Sequence, residues 1–159
     1  MDAAPHTFYL LKWLFGGIES LQAFDCQVVD SCEVEDNALV FGKLSNGSLF
    51  YSQFSFTVQA PWTERLEING LNGSVIIDQI SNPVGMIYTG TYDYYGKKLD
   101  IPFDPENWKS NSISLEVHEF LKAVQNRTEP LVDAADANYA VYAVEKAYAS
   151  IETSALVQL

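Results

Sequence analysis

The feature that most constrains the fold is a pair of alternating apolar segments between residues 37 and 58, joined by Ser45-Asn46-Gly47. Asn and Gly are the residues that most readily adopt positive φ, so we expect a tight turn between Leu44 and Leu49. The pattern therefore predicts a β-hairpin.

The return strand of this hairpin carries bulky side chains on both faces, because alternate residues of a strand point to opposite sides. One face is mainly aromatic and suits a cover of helices, whereas the other mixes aromatic and polar groups and suits a partner sheet, a substrate or water. The first face carries Phe50, Ser52, Phe54, Phe56 and Val58, and the second carries Leu49, Tyr51, Gln53, Ser55 and Thr57.

Composition favours one folded domain over residues 1–159, since 48% of the residues are apolar and 13% aromatic. The formal net charge is −12, and the sequence has no basic cluster that would neutralise phosphates. Nucleic acid is therefore not an expected partner.

Location and redox state follow from the apolar runs and the cysteines. The run at 8–17 contains Lys12, is too short to span a bilayer, and has neither a basic leader nor a cleavage site. We therefore expect a cytoplasmic protein with no membrane contact. In that compartment Cys26 and Cys32 are expected to be reduced thiols, with a bridge between neighbouring strands as the less favoured alternative.

Three helices are expected from the spacing of apolar residues. The first runs over about 5–15, with Pro5 in its first turn and Gly16-Gly17 at its end. The second is capped by Ser112 or Ser114 and ends near 126, and the third begins at Asp133 or Asp136.

Strands precede the last two helices, and strands and helices do not alternate along the chain. This order predicts an α+β fold with an open, mostly antiparallel sheet and helices packed on one face. Besides the hairpin, strands are expected at 18–29, 62–69, 74–78 and 98–101, and the terminal residues 155–159 are expected to lie beside the sheet.

A group of aromatic residues lies between positions 88 and 108. Its last member belongs to the segment 104–108, which two nearby prolines favour as a loop. These rings can stack on a sugar or fill a sheet face, and both alternatives stand. We take Tyr92 and Trp108 as candidate substrate-binding residues. The full group is Tyr88, Tyr92, Tyr94, Tyr95 and Trp108.

No metal site is expected. His118-Glu119-X-X-Lys122 lacks the second histidine of a zinc-protease helix, so a solvated helix face is the better interpretation. The acidic residues at 30–36 lack the glycine and the ligand repeat of a calcium loop, so an acidic surface turn is expected there. These acidic residues are Asp30, Glu33, Glu35 and Asp36.

Several motifs, in this order, resemble the second domain of the Gfo/Idh/MocA oxidoreductases. The first motif is Asp2-Ala3-Ala4-Pro5-His6 followed by Leu10, Leu11, Trp13, Leu14 and Gly16. The middle ones are Asn46-Gly47-Ser48 and 68–74, and the last are 116–124, 129–132, Asp136 and 147–151. The resemblance spans nearly the whole chain, and it differs at Ala4, where the family frequently has Gly.

The resemblance implies a C-terminal domain with an open, mostly antiparallel sheet and helices on one face. The other face is expected to be free or used for dimerisation. In the family an N-terminal Rossmann domain binds NAD or NADP, and we expect that domain to be absent from this chain. The sequence itself shows no glycine-rich strand-to-helix turn and no P-loop. No cofactor is therefore expected on this chain alone.

The resemblance also implies hydride transfer at the hydroxyl of a sugar or polyol, with His6 exchanging the hydroxyl proton and Asp2 orienting or assisting it. We expect both residues on one side of the first helical turn, four residues apart. The alternative is that His6 has no catalytic role and only lies at the start of a helix. At the level of the whole chain, the alternative is a non-catalytic binding or assembly module that dimerises through the face bearing Tyr51, Gln53 and Ser55.

Overall fold

The computed structural model describes residues 1–31, 33–59, 63–78, 85–89, 97–101 and 108–159. The described chain divides into two compact units. One comprises Met1–Val58 and Glu129–Leu159, and the other comprises Gln59–Thr128.

The first unit is a four-stranded antiparallel sheet with two helices. Its strand order is β3-β2-β1-β8, so the last strand of the chain pairs with the first. This pairing confirms that the terminal residues lie beside the sheet. The elements are α1 (Ala4–Phe15), β1 (Ile18–Cys26), β2 (Asn37–Leu44), β3 (Leu49–Ser55), α3 (Ala134–Thr153) and β8 (Val157–Gln158).

Helix α1 forms where the sequence predicts it. Pro5 occupies the first turn, where its missing N–H costs no hydrogen bond. Gly16 ends the helix at φ 86°, and its N–H donates to the Lys12 carbonyl at 2.9 Å. Ala4 and Phe8 are fully buried, so one stripe of α1 faces the core.

Helix α3 begins with a reciprocal capping box. The Asp133 carboxylate accepts from the N–H groups of Ala135 and Asp136, and the Asp136 carboxylate accepts from the N–H of Asp133. Ala143 and Ala147 are fully buried in the core cluster that α1, β1 and β2 also line. These small side chains let α3 pack closely on its neighbours.

The predicted hairpin is confirmed, with β2 and β3 as its strands. Its loop has three residues, since Leu44 N–H donates to the Ser48 carbonyl at 2.8 Å. Only Gly47 in this loop has positive φ, at 88°. Asn46 acts instead through its side chain, whose oxygen accepts from Ser48 N–H at 2.9 Å.

The aromatic face of β3 covers the core, as expected. Phe50 and Phe54 pack against the buried cluster, and the Phe54 ring meets Phe8 edge-on with centroids 6.2 Å apart. The strand ends at Ser55, so Phe56 and Val58 do not share this burial and are exposed.

The second unit is another four-stranded antiparallel sheet, in the order β4-β5-β6-β7, followed by a helix. Residues 71 and 72 form the turn between its first two strands, and β7 confirms the predicted edge strand. The elements are β4 (Arg65–Gly70), β5 (Gly73–Asp78), β6 (Gly85–Thr89), β7 (Lys97–Ile101) and α2 (Trp108–Asn126).

Two expectations about α2 are wrong. The helix begins at Trp108, so this residue is helical rather than part of a loop, and the start is earlier than Ser112 or Ser114. The two prolines that suggested the loop lie before Trp108 and so leave the helix itself uninterrupted. An apolar set on α2 is exposed, namely Leu115, Val117, Phe120, Leu121 and Val124.

The expected α+β class with antiparallel strands is confirmed, although the strands within the described ranges form two four-stranded sheets rather than one. In the first unit, α1 and α3 pack on one face of the sheet, and apolar side chains on the opposite face are exposed. Across the described ranges, no helix combines the length and the apolar character needed to cross a membrane.

Candidate functional site

His6 lies in the first turn of α1 and is exposed. Its position is set by Ala4 and Phe8, which lie two residues before and two residues after it and are both fully buried. Its side chain makes no hydrogen bond or ion pair with any residue that the structure describes. The imidazole is therefore accessible on a backbone that the core holds in place.

Asp2 does not lie in the helical turn where we expected it. Ala3 is the N-cap of α1, so Asp2 precedes the helix, in a turn closed by the Ala4 N–H and the Met1 carbonyl at 3.2 Å. The four-residue spacing from Asp2 to His6 is therefore not a helical i, i+4 pair. Asp2 is exposed, and its side chain likewise has no partner among the described residues.

A polar cluster lies where the chain leads into Asp2. The hydroxyl of Tyr148 donates to Glu35 Oε1 at 2.8 Å, and the Met1 nitrogen bonds both groups, at 2.8 Å from the Tyr148 oxygen. Burial and the Glu35 carboxylate together raise the pKa of Tyr148 to about 12. Burial alone would raise the pKa of Glu35, but bonds from Met1 and Tyr148 hold it below its ordinary value.

The far end of α1 is held by a second polar group. Lys12 Nζ lies 2.7 Å from Asp136 Oδ1 and sits over the Tyr139 ring, 5.0 Å from its centroid. The Tyr139 hydroxyl accepts from Ile18 N–H at 2.6 Å. The Lys12 ammonium lowers the pKa of Asp136 below its usual range. Helices α1 and α3 are thus joined at the start of β1.

Asp36 was expected in an acidic surface turn, but it is buried and organises the connection from β1 to β2. Its carboxylate accepts from Val28 N–H at 2.9 Å, Val29 N–H at 2.7 Å and the Asn37 side-chain amide at 2.7 Å. Burial would raise the pKa of Asp36, and these hydrogen bonds outweigh that effect and lower it. Asp36 is therefore a structural residue that the sequence pattern did not reveal.

The structure leaves the predicted aromatic group largely untested. Tyr92 lies outside the described residues, and of Trp108 only the backbone at the start of α2 is described. Cys26 is exposed, and Cys32 is outside the described part. In the ranges described, no group of three or more His, Cys, Asp or Glu side chains could hold a metal ion.

The outer face of the first sheet carries exposed apolar side chains from three adjacent strands. Tyr51 is 78% and Leu49 82% exposed, and the register places Tyr51 opposite Phe41 on β2. Phe41 in turn stacks on Phe24 of β1, with ring centroids 6.2 Å apart and planes 17° from parallel. We call this set the outer sheet face: Phe24, Leu39, Phe41, Leu49 and Tyr51.

An open antiparallel sheet with helices packed on one face makes the first unit an α+β structure. The model of the Gfo/Idh/MocA oxidoreductase family, C-terminal alpha/beta domain, matches residues 1–159. The chain belongs to this family, as its C-terminal domain. The comparison with curated proteins found no match.

Solved structures share the fold at low sequence identity. WlbA dehydrogenase from Bordetella pertussis, solved with NADH and UDP-GlcNAcA, is 19% identical with a TM-score of 0.74, over 100% of this chain and 44% of that one. An oxidoreductase domain protein from Kribbella flavida reaches 0.83 at 18% identity, over 99% and 48%. An oxidoreductase from Agrobacterium radiobacter, solved with NAD+, L-tartaric acid and magnesium, reaches 0.77 at 19%, over 97% and 47%. The chain spans less than half the length of each.

Proposed function

We propose that this chain is the substrate-binding and assembly domain of a cytoplasmic NAD(P)-dependent oxidoreductase that acts on the hydroxyl of a sugar, polyol or related small molecule. The observation that carries the proposal is an exposed imidazole, His6, on a helix start that the core fixes, in a chain of this family. The nicotinamide cofactor is held mainly by a Rossmann domain outside this sequence.

In this proposal another domain binds the cofactor, and the residues of this chain bind the substrate. No strand that the structure describes leads through a glycine-rich turn into a helix, the arrangement that cradles a dinucleotide pyrophosphate. His6 and Asp2 are exposed and carry the hydrogen-bonding groups that a hydroxylated substrate needs. This domain therefore contributes to the substrate side of the site.

In the proposed reaction the substrate carbinol is oxidised to a carbonyl. The nicotinamide cofactor, when bound by the longer protein, would supply the acceptor for the hydride from the carbinol carbon. His6 accepts the hydroxyl proton as the C–H bond breaks and the C=O bond forms, and it returns a proton in the reverse direction. Asp2 orients the substrate or the His6 imidazole. Tyr92 and Trp108 are proposed to stack on the substrate ring.

The proposal predicts activity in the longer protein that contains this domain. With NAD+ or NADP+ supplied in turn, we expect reduced nicotinamide to form with at least one member of a panel of polyols, aldoses and nucleotide sugars, UDP-GlcNAcA included. The measurement is the absorbance of the reduced cofactor. A folded protein that binds NAD+ and oxidises no panel member would favour the non-catalytic binding module.

We assign the assembly role to the outer sheet face. It presents five apolar side chains on one side of a sheet whose other side is covered by α1 and α3. Contiguous exposed aromatic residues on a flat surface are typical of subunit contacts. A homodimer in which two such faces meet would remove them from water.

Replacing Tyr51 by Glu is expected to weaken this dimer, because a carboxylate would be buried at the centre of an apolar contact. We expect the dissociation constant to rise about tenfold or more, measured by sedimentation equilibrium. Val141→Glu is the matched control, since Val141 is 54% exposed and lies on α3, the helix that packs on the opposite face of this sheet. A wild-type chain that stays monomeric at high concentration would contradict the assembly role.

A further inference from the structure

The dipeptide Asn-Gly occurs three times in the chain, as Asn46-Gly47, Asn69-Gly70 and Asn72-Gly73. Asparagine is chemically least stable before glycine, because glycine has no side chain to shield its own backbone nitrogen. That nitrogen can attack the side-chain amide carbon of the preceding asparagine and expel ammonia. The side chain must turn back onto the main chain for this reaction, so the folded structure decides which of the three copies reacts.

Hydrogen bonds restrain two of these side chains. Asn46 Oδ1 accepts from the Ser48 N–H at 2.9 Å, which holds the amide against the hairpin loop. Asn69 is held through both amide atoms, since its Oδ1 accepts from the Ser74 hydroxyl at 2.6 Å and its Nδ2 donates to Glu67 Oε1 at 3.2 Å. Either amide must lose these bonds before its carbon can reach the glycine nitrogen.

Asn72 has no such restraint. It lies in the two-residue turn between β4 and β5, and its side-chain amide makes no hydrogen bond with any residue that the structure describes. All three asparagines are exposed, so access of water does not distinguish them. The difference lies in the side-chain bonds, and by this measure Asn72 reaches the reactive geometry most easily.

The fold also requires glycine at position 73. Gly73 has φ 152°, and a Cβ there would lie 2.2 Å from the Tyr88 carbonyl oxygen on the neighbouring strand β6. A side chain at this position would slow the reaction, but the backbone of β6 leaves no room for one. At Gly47 and Gly70 a Cβ would meet nothing closer than 3.5 Å. The pairing of β5 with β6 therefore keeps the sensitive dipeptide in this turn.

We propose that Asn72 is a site of spontaneous deamidation, and that their hydrogen bonds protect Asn46 and Asn69. The Gly73 nitrogen forms a bond to Asn72 Cγ, the Cγ–Nδ2 bond breaks, and ammonia leaves with the proton from the Gly73 nitrogen. Water then opens the succinimide ring at one of its two carbonyl carbons and gives aspartate or isoaspartate, with no oxidation or reduction. The inference is independent of the proposed function, since it involves neither a substrate nor His6.

Either product changes the turn. A carboxylate replaces the amide and adds one negative charge to a chain whose formal net charge is −12. Isoaspartate also inserts one methylene group into the main chain between Gly70 and Gly73, which are paired across the hairpin. We therefore expect the isoaspartate product to lose this pairing and to keep that of Arg65 with Asp78 at the other end of the hairpin.

The test is incubation of the folded chain at mildly alkaline pH, followed by tryptic digestion and mass spectrometry. Trypsin leaves Asn69 and Asn72 in one peptide, because no Lys or Arg separates them, so fragmentation of that peptide assigns the site. We expect Asn72 to convert about three to ten times faster than Asn46 or Asn69, the range given by the net strength of one hydrogen bond. Anion exchange is expected to separate the product, because it carries the additional charge.

The first control is the same chain in denaturant, where we expect similar rates at all three asparagines because the folded environment is lost. The second is Asn72→Gln, which keeps an exposed amide in the turn but would have to form a larger ring. We expect this variant to lose the fastest-forming acidic product. Conversion of Asn46 or Asn69 at the rate of Asn72 or faster in the folded chain would overturn the proposal. So would an unmodified Asn72 under conditions in which the denatured chain reacts.

Discussion

Replacing His6 by alanine is expected to lower kcat of the longer oxidoreductase about 10²- to 10⁴-fold, the usual contribution of a general acid–base residue. The exposed imidazole is the group to which we assign the hydroxyl proton, and no other histidine lies in α1. Because His6 makes no bond to the described part of the protein, its removal is expected to leave folding unaffected. The measurement is steady-state formation of reduced cofactor, together with the melting temperature.

His118→Ala is the matched control for this prediction. The chain has two histidines, and His118 lies exposed on α2. We expect its replacement to leave both kcat and KM at wild-type values. A His6→Ala enzyme with unchanged kcat would remove the proton-transfer role from His6 and leave that residue as the start of a helix.

Replacing Gly42 by alanine is expected to lower the free energy of unfolding by about 3 kcal/mol, at the upper end of overpacking effects. A Cβ at Gly42 would lie 2.0 Å from the Ser20 carbonyl oxygen and 2.8 Å from the Leu21 Cα. These are backbone atoms of the neighbouring strand β1, so neither can turn aside as a side chain can. We expect the melting temperature to fall by about 6–12 °C for a chain of this size.

Gly70→Ala is the control for the backbone effect of adding a Cβ. At Gly70 the nearest atom would be the Gly73 carbonyl oxygen at 3.5 Å, an ordinary contact. The substitution is therefore expected to be neutral or slightly stabilising, because alanine loses less backbone entropy on folding. Thermal unfolding of the two variants compares them directly. A Gly42→Ala chain with the wild-type melting temperature would contradict the prediction. It would mean that β1 and β2 can move apart at this point with no loss in the free energy of unfolding.

Local signals in the sequence were enough for much of the fold. The Gly47 turn, Pro5 at the start of α1 and the Asp133 cap of α3 are short-range features, and each lies where it was predicted. The two failures involve nearby residues, but the residue types alone do not indicate them. Asp2 lies outside α1 because Ala3 is the N-cap, and Asp36 is buried because it accepts hydrogen bonds from Val28 and Val29.

In the candidate site, too, some residues could be predicted from the sequence and others could not. His6 was found through its spacing from Asp2 within a family pattern, and the structure gives both residues an exposed setting. Glu35 and Tyr148 stand 113 positions apart, and nothing in the local sequence indicates that they meet. Glu35 is one of several acidic residues in its segment, and Tyr148 is one of nine tyrosines. Only the packing of α3 against the sheet brings them together.

If His6 has the proposed role, the buried stripe that holds α1 in place has an evolutionary consequence. The orientation of the His6 backbone is set by Ala4 and Phe8, which are buried in the same core as side chains of β1 and β2. Mutations that repack this interior would therefore alter turnover without touching the substrate. Selection for a new substrate would therefore have to change exposed residues and keep the buried residues of α1.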